Sequence, residues 1–568
     1  MVMNLRRYYR IGRGLGAAWA ARMGYVCVLA AAALSASAAR AAVSLSEQHF
    51  ERGNENYRNG AYFAAITDYT EAIRIDPNHA MAYIGRALSR TRVGKVDEAI
   101  ADYSAAINVD PQSQVAYNNR GYLKLNQGDN DGAIADFNKA LEIYARSFMA
   151  YFNRGKAKLN KGEYDAAIAD LTAAIKIDPR PADPYYQRAS AKIKIGDAEG
   201  AIADFTEAIR GDSSYAPAYN SRGLALFEKG DYDGAIGDYN RAIRVDPNYV
   251  AAYNNRGIAE HKSGRYDNAI ADFDEVIRMA PQHAGAYANR ASVKKDKGDY
   301  SGAIADFTKA IGLAPRDALS YRRRGHLYYD AARWLDSLKD LSMATQLEGN
   351  GHGEDYDLLR IWLVSSRLGE RGEATALLEA HLKNGSGGQI GVWYKSLCAF
   401  LLGRSSVDEL IRAADDPEFK KANERRCEAY FLAGSMRIIE GDIKEGMRLL
   451  RQCLATTVTD FTEYGSARSE LESILIGAHF EYVGEEARRS VVLDTDVGLS
   501  VWNVVRGGPA ELAGLAEKDI VAAIDGRPAT FESVRHLCEV GKPGETVKLS
   551  IVRLQRPMNV TLTLGGAK

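Results

Sequence analysis

The sequence predicts a mainly α fold, an α-solenoid of helical hairpins followed by a small α/β domain. Three observations carry that expectation. A pattern with a period of 34 residues runs from Ser46 to Gly351 without insertion. Within each period, apolar residues recur at helical spacing. From about Phe480 the pattern changes to the two-residue alternation of strands.

The repeat is legible from its small residues. Gly121, Gly155, Gly223, Gly257 and Gly325 fall in register, and Ala87, Ala189 and Ala291 fill intervening slots. Twelve residues later comes another small residue, from Ala65, Ala99 and Ala133 through Ala303 to Ser337. Prolines close most units, among them Pro77, Pro179 and Pro281. In the stretch from Ala251, Tyr253, Gly257 and Ile258 lie on a first helix, which Gly264 ends. Ala269, Phe273 and Ile277 recur four apart on a second helix, which Pro281 stops. Nine such units fill 46–351. Their register resembles the tetratricopeptide repeat, which implies hairpins stacked so that each buries its neighbour's apolar face.

Two further ladders follow the period. Arginine occupies one slot in all nine units, from Arg52 and Arg86 to Arg324, and aspartate stands sixteen residues on, from Asp68 and Asp102 to Asp340. The spacing predicts a structural pair between the two helices of each hairpin, for which fork-on-carboxylate geometry is suited. A ligand would not need every repeat. Tyrosines Tyr83, Tyr117, Tyr151 and their successors to Tyr321 share a slot and read as packing residues. The groove of such an array is lined mainly by first-helix residues. Asn118, Asn220 and Asn254 are the candidate groove residues, beside Lys194, Glu228 and Asp296.

Residues 1–41 hold six arginines and no acidic residue, followed from Gly24 by a short, alanine-rich apolar run. Ala39-Arg40-Ala41 offers a cleavage site, so 1–41 reads as a secretory signal peptide and the mature chain as periplasmic. Formal net charge is −1, and loss of six positive charges leaves a mature chain with no basic face for a nucleic acid. Cys27 sits in a poor context for lipidation, and no membrane span is expected.

The stretch 355–480 continues helical periodicity in worn form. Its best hairpin is "CEAYFLAGSMRIIEGDIKEGMRLLRQCL", and "TEYGSARSELESILIG" supplies a terminal capping helix. This region resembles the C-terminal end of a bacterial tetratricopeptide lipoprotein family that acts as a periplasmic adaptor. Cys427 stands at the opening of the first helix of that hairpin and Cys453 near the end of the second, ends that antiparallel helices bring together. They read either as a disulfide or as two free, buried thiols.

Residues 481–566 contain Gly508-Pro509-Ala510, Ala513-Gly514-Leu515, Asp519-Ile520-Val521 and Asp525-Gly526. This string resembles a PDZ domain of the bacterial HtrA type. The resemblance implies a groove for an extended C-terminal peptide, with a loop of backbone N–H groups for its carboxylate. The expected loop is Tyr482-Val483-Gly484-Glu485, preceding the strand "VGLSVWNVV". Val534 and Leu537, on one face of the helix Phe531 to Val540, are the expected pocket wall. The alternative is a domain kept as a docking block, with both residues in its core.

No zinc-protease, nucleophile-elbow or phosphate-loop motif is present, so neither an enzyme nor a cofactor or metal is expected. The sequence is read as an exported scaffold that binds proteins or peptides, C-terminal tails included, and brings them to periplasmic proteases or cell-wall enzymes. Two other readings stay open: an enzyme subunit with a site in the worn repeats, and a cytosolic chaperone-type cofactor.

Overall fold

A computed structural model describes residues 45–348, 354–384, 391–459, 461–482, 498–505, 508–553 and 556–565. The expected leader, 1–41, lies outside them. Among the described residues, no helix is long and apolar enough to cross a membrane. The chain divides into two compact bodies, Met1–Val245 and Asp246–Lys568.

The first body is built from helical hairpins. Its first helices, such as Ala80–Arg92, Gln114–Asn126 and Phe148–Asn160, alternate with second helices such as Val96–Val109, Asn130–Ile143 and Tyr164–Ile177. Caps fix their starts: Ser113 and Ser147 accept from Ala116 and Ala150 N–H, and Asp129 accepts from Gly132 N–H. The small residues and the aromatic between them are fully buried, as with Ala133, Phe137 and Ala140.

The second body continues the same unit through Val250–Lys262 with Tyr266–Met279, Ala284–Lys297 with Tyr300–Leu313, and Ala318–Asp330 with Trp334–Glu348. Two glycines show why the slots are small. A Cβ on Gly257 would stand 2.9 Å from the Phe273 ring, so the two helices could not approach as closely. Gly264 leaves the first helix at φ +77°, a conformation that strains any residue with a side chain. Three less regular hairpins follow: Glu354–Arg367 with Arg371–Asn384, Val392–Leu401 with Val407–Ala413, then α1 (Phe419–Ile439) with α2 (Ile443–Ala455). The capping helix α3 spans Thr462–Leu475.

The expected opening of α1 at Cys427 is corrected by the structure. The helix begins at Phe419, about two turns earlier. The added turns, "FKKANERR", carry little apolar periodicity, so the sequence pattern did not display them.

The C-terminal strands are β1 (Ala478–Tyr482), β2 (Leu499–Val504), β3 (Ile520–Ile524), β4 (Arg527–Pro528), β5 (Thr546–Arg553) and β6 (Arg556–Thr563). They form one antiparallel sheet in the order β1-β2-β3-β5-β6, with β4 paired to β3. Two helices accompany it, α4 (Pro509–Leu512) and α5 (Phe531–Val540). The sheet starts three residues before the expected boundary at 481. One continuous core joins Tyr329 and Leu341 of the last regular unit, the worn hairpins, α3, and Val501, Val521 and Leu562 of the sheet.

Candidate functional site

The arginine ladder is structural in its geometry. Arg154 donates from Nε and Nη2 to the two carboxylate oxygens of Asp170 at 2.8 and 2.6 Å. Arg188 on Asp204, Arg290 on Asp306 and Arg324 on Asp340 repeat that fork. The aspartates are buried, so each fork neutralises a carboxylate that has lost its water. The remaining Nη1 reaches the second helix of the preceding unit: Arg120 to Ser104 at 2.9 Å, Arg188 to Thr172 at 3.0 Å, Arg324 to Thr308 at 2.8 Å. Arg120, Arg188 and Arg324 therefore each tie two neighbouring hairpins together. The tyrosine slot has a partner too, since each arginine from Arg86 to Arg324 lies over the tyrosine ring three residues before it, at 5.4 Å for Arg154 and Tyr151. The sequence signal for that stacking was the constant three-residue offset between the two ladders.

Of the candidate groove asparagines, Asn118 and Asn220 lie in different hairpins of the first body, and Asn254 lies in the second body, accepting from Asn289 at 3.3 Å. Asn118 instead shares a helix face with Val115 and Tyr122, which are 49% and 43% exposed. Met81 and Met149 occupy the slot of Val115 in the adjoining units and are also exposed. The sequence reading weighed the polar slots and passed over this apolar one.

In the C-terminal domain, Tyr482 is the last residue of β1. Val483, Gly484 and Glu485 lie outside the described residues. Val534 is 1% exposed and belongs to the domain core, while Leu537 packs partly against it. Within "VGLSVWNVV", Leu499–Val504 form β2, which is paired on both sides, by β1 and by β3. A peptide strand needs an unpaired edge; among the described residues the edge strands are β1 and β6, and Ala478, His479 and Phe480 of β1 are buried. The turn leading into β1 is Leu475-Ile476-Gly477-Ala478, with Gly477 at φ +74°. Two of its N–H groups, on Ile476 and Gly477, both donate to Glu472 O at 2.8 Å and so close the end of α3.

The domain is held against the last repeats. Arg451 of α2 donates to the carbonyls of Cys538 and Gly541 at the end of α5. Asn503 donates to Ala331 O at 2.8 Å, and the Trp502 ring lies 5.4 Å from that of Tyr300. The helix α3 is seated by buried polar contacts. Glu470 accepts from Tyr329 and Ser435 at 2.6 and 2.8 Å, and Arg360 donates to Ser466 at 2.8 Å. Beside it, the Glu428 carboxylate accepts from Trp393 Nε1–H, and burial with Glu463 nearby pushes it up to about 8.

Family profiles agree with these elements. Profiles described as TPR repeat or tetratricopeptide repeat match 89–128, 118–184, 182–214, 223–264, 250–283 and 284–317, and a PDZ domain profile matches 475–564. The chain carries tetratricopeptide repeats and a C-terminal PDZ domain. A probable periplasmic serine endoprotease, DegP-like, from Pseudomonas putida is 30% identical over 91 residues, 16% of this chain and 19% of the relative. The periplasmic pH-dependent serine endoprotease DegQ of Escherichia coli is 25% identical over 125 residues, 22% of this chain and 27% of the relative. The chain thus spans a fifth to a quarter of these proteases, and the likeness lies in the PDZ region rather than the protease domain. Among solved structures, the MamA protein is 28% identical, with 31% of this chain and 96% of that one covered and a TM-score of 0.29. A tetratricopeptide repeat protein from Parabacteroides merdae is 21% identical, with 44% and 99% covered and a TM-score of 0.36. Repeat array and PDZ domain are both interaction modules, and the protein is an interaction scaffold.

Proposed function

We propose that this scaffold is exported and gathers envelope proteins, one class through the first-helix faces of its repeats and another through its PDZ edge. The observation that carries this reading is the antiparallel sheet of the PDZ domain, with β1 and β6 at its edges and α5 beside it, on the same body as the last repeats. An extended peptide adds to such an edge by backbone pairing. The ligand class is a free, apolar C-terminus, and the recruited partners are periplasmic proteases or cell-wall enzymes. The PDZ likeness to periplasmic proteases supports the compartment, as does the basic, alanine-rich leader.

Fluorescence titration of the full chain with an apolar peptide tests the groove. The expected affinity is micromolar, on the order of −8 kcal/mol, with amidation of the terminus abolishing binding. Leu537→Lys in a folded protein is expected to do the same. The closed N–H groups of Ile476 and Gly477 favour a second reading, in which β1 pairs with internal segments and no carboxylate is read. Equal binding of free and amidated peptides selects that second reading. For the compartment, N-terminal sequencing of protein recovered from cells is expected to start at Ala42; an intact Met1 on a wholly cytosolic protein refutes export.

A further inference from the structure

We propose that Cys427 and Cys453 form a disulfide that locks the hairpin on which the PDZ domain is seated. The inference takes its oxidant from the export reading above, and its geometry from the second body alone. Cys427 lies on α1 and Cys453 on α2, both wholly buried, with their sulfurs 3.3 Å apart as free thiols. Closing that gap to a bond requires a shift of about 1 Å.

The position of the pair gives the bond a consequence. Cys453 stands two residues after Arg451, whose guanidinium holds the α5 carbonyls of Cys538 and the following Gly541 carbonyl. Its sulfur also lies 3.8 Å from the carbonyl of Glu463, in the first turn of α3. A bond between α1 and α2 at this point fixes both supports of the domain at once. With the thiols apart, the α2 end carrying Arg451 is held against α1 by packing alone.

The chemistry is thiol–disulfide exchange with a donor disulfide, either a dithiol oxidase in its oxidised form or oxidised glutathione. One cysteine thiolate attacks the donor, and a donor thiolate leaves. The second cysteine thiolate then attacks the mixed disulfide, and the other donor thiol leaves. Two protons and two electrons pass from the cysteine pair to the donor. Burial and the neighbouring Cys427 hold the Cys453 thiol well above its ordinary range, so exchange belongs to folding or to transient opening of the hairpin.

The test uses the full chain, treated with oxidised glutathione or dithiothreitol in mild urea and then returned to buffer. Peptide mapping is expected to give a linked Cys427–Cys453 pair after oxidation, with melting raised by about 5 °C for a closed loop of this size. Amide exchange in α2 and α5 is expected to slow several-fold. The Cys427→Ala/Cys453→Ala double variant, and the Ser pair if the Ala pair folds poorly, should show no redox dependence. Free thiols at both positions after oxidation overturn the proposal, as does a bond that leaves α5 exchange unchanged. Free thiols in protein recovered from cells with its N-terminus at Ala42 overturn the native bond and leave export standing; free thiols on cytosolic protein with an intact Met1, together with ready closure in vitro, refute export and with it the native bond, while sparing the geometry.

Discussion

Arg256→Ala is expected to destabilise the array by about 3 kcal/mol, whereas Arg120→Ala costs about 1 kcal/mol. Both arginines make the same fork, at 2.8 Å from Nε, to a buried aspartate or within a tenth of it: Arg256 on Asp272 at 2.8 Å, Arg120 on Asp136 at 2.9 Å. The difference lies four residues on. Lys124 also reaches Asp136, at 2.9 Å, so that carboxylate keeps a cation when Arg120 is removed. The equivalent residue after Arg256 is Glu260. Burial already raises the Asp272 carboxyl despite its arginine, so loss of that arginine leaves a charge with little else to hold it. Thermal melts by circular dichroism, with amide exchange to localise the loss, check the ranking. Equal losses would refute the ranking; unchanged stability with loss of partner binding would show that the ladder is a ligand site.

Stability of the second body is expected to fall as pH rises from about 4.5 to about 8, and Glu428→Gln is expected to flatten that fall. The Glu428 carboxyl is raised from 4.5 to about 8, first by burial and then by Glu463 on α3. Arg425 on its own helix and the Trp393 and Tyr356 donors oppose the shift. A raised acid binds its proton more tightly in the folded state. Folding is therefore favoured below the unfolded value, and the contribution is lost progressively until the folded value is passed. The loss is on the order of 5 kcal/mol across the window. Urea titrations at pH 5 and pH 8 on both proteins measure it. An unchanged pH slope in the Gln variant would assign the effect to other groups, Glu472 being the next buried carboxyl, raised to about 7.

The repeats were legible because stacking dictates spacing. The slots of Gly257 and Ala269 are small where two helices meet, and a register set by close approach survives in the sequence. The PDZ strands were legible for a related reason, as β5 alternates from Thr546 to Ile551 and β6 from Asn559 to Thr563. The edge strand was not. Apolar periodicity runs unbroken through α3 to Leu475 and hides the turn at Gly477, and β1 is five residues long with a buried His479 at its second position. The opening turns of α1 were missed because helix formation there rests on polar residues, and Glu428 gave no signal because its perturbation comes from burial by the tertiary fold and from Glu463, distant in sequence.

Only Ile476 and Gly477 separate the last residue of α3 from the first of β1. Where tandem binding modules are joined by a flexible chain, the second capture is governed by how often the tether visits the right separation. Here there is no tether to sample. A partner that engages both the last repeats and the PDZ edge meets a fixed span. If its own two sites match that span, the second capture is close to cost-free in lost chain entropy; if they do not, no slack exists to make up the difference. Selection between partners would then fall on the distance between their two epitopes as much as on the epitopes themselves, with the scaffold serving as a gauge.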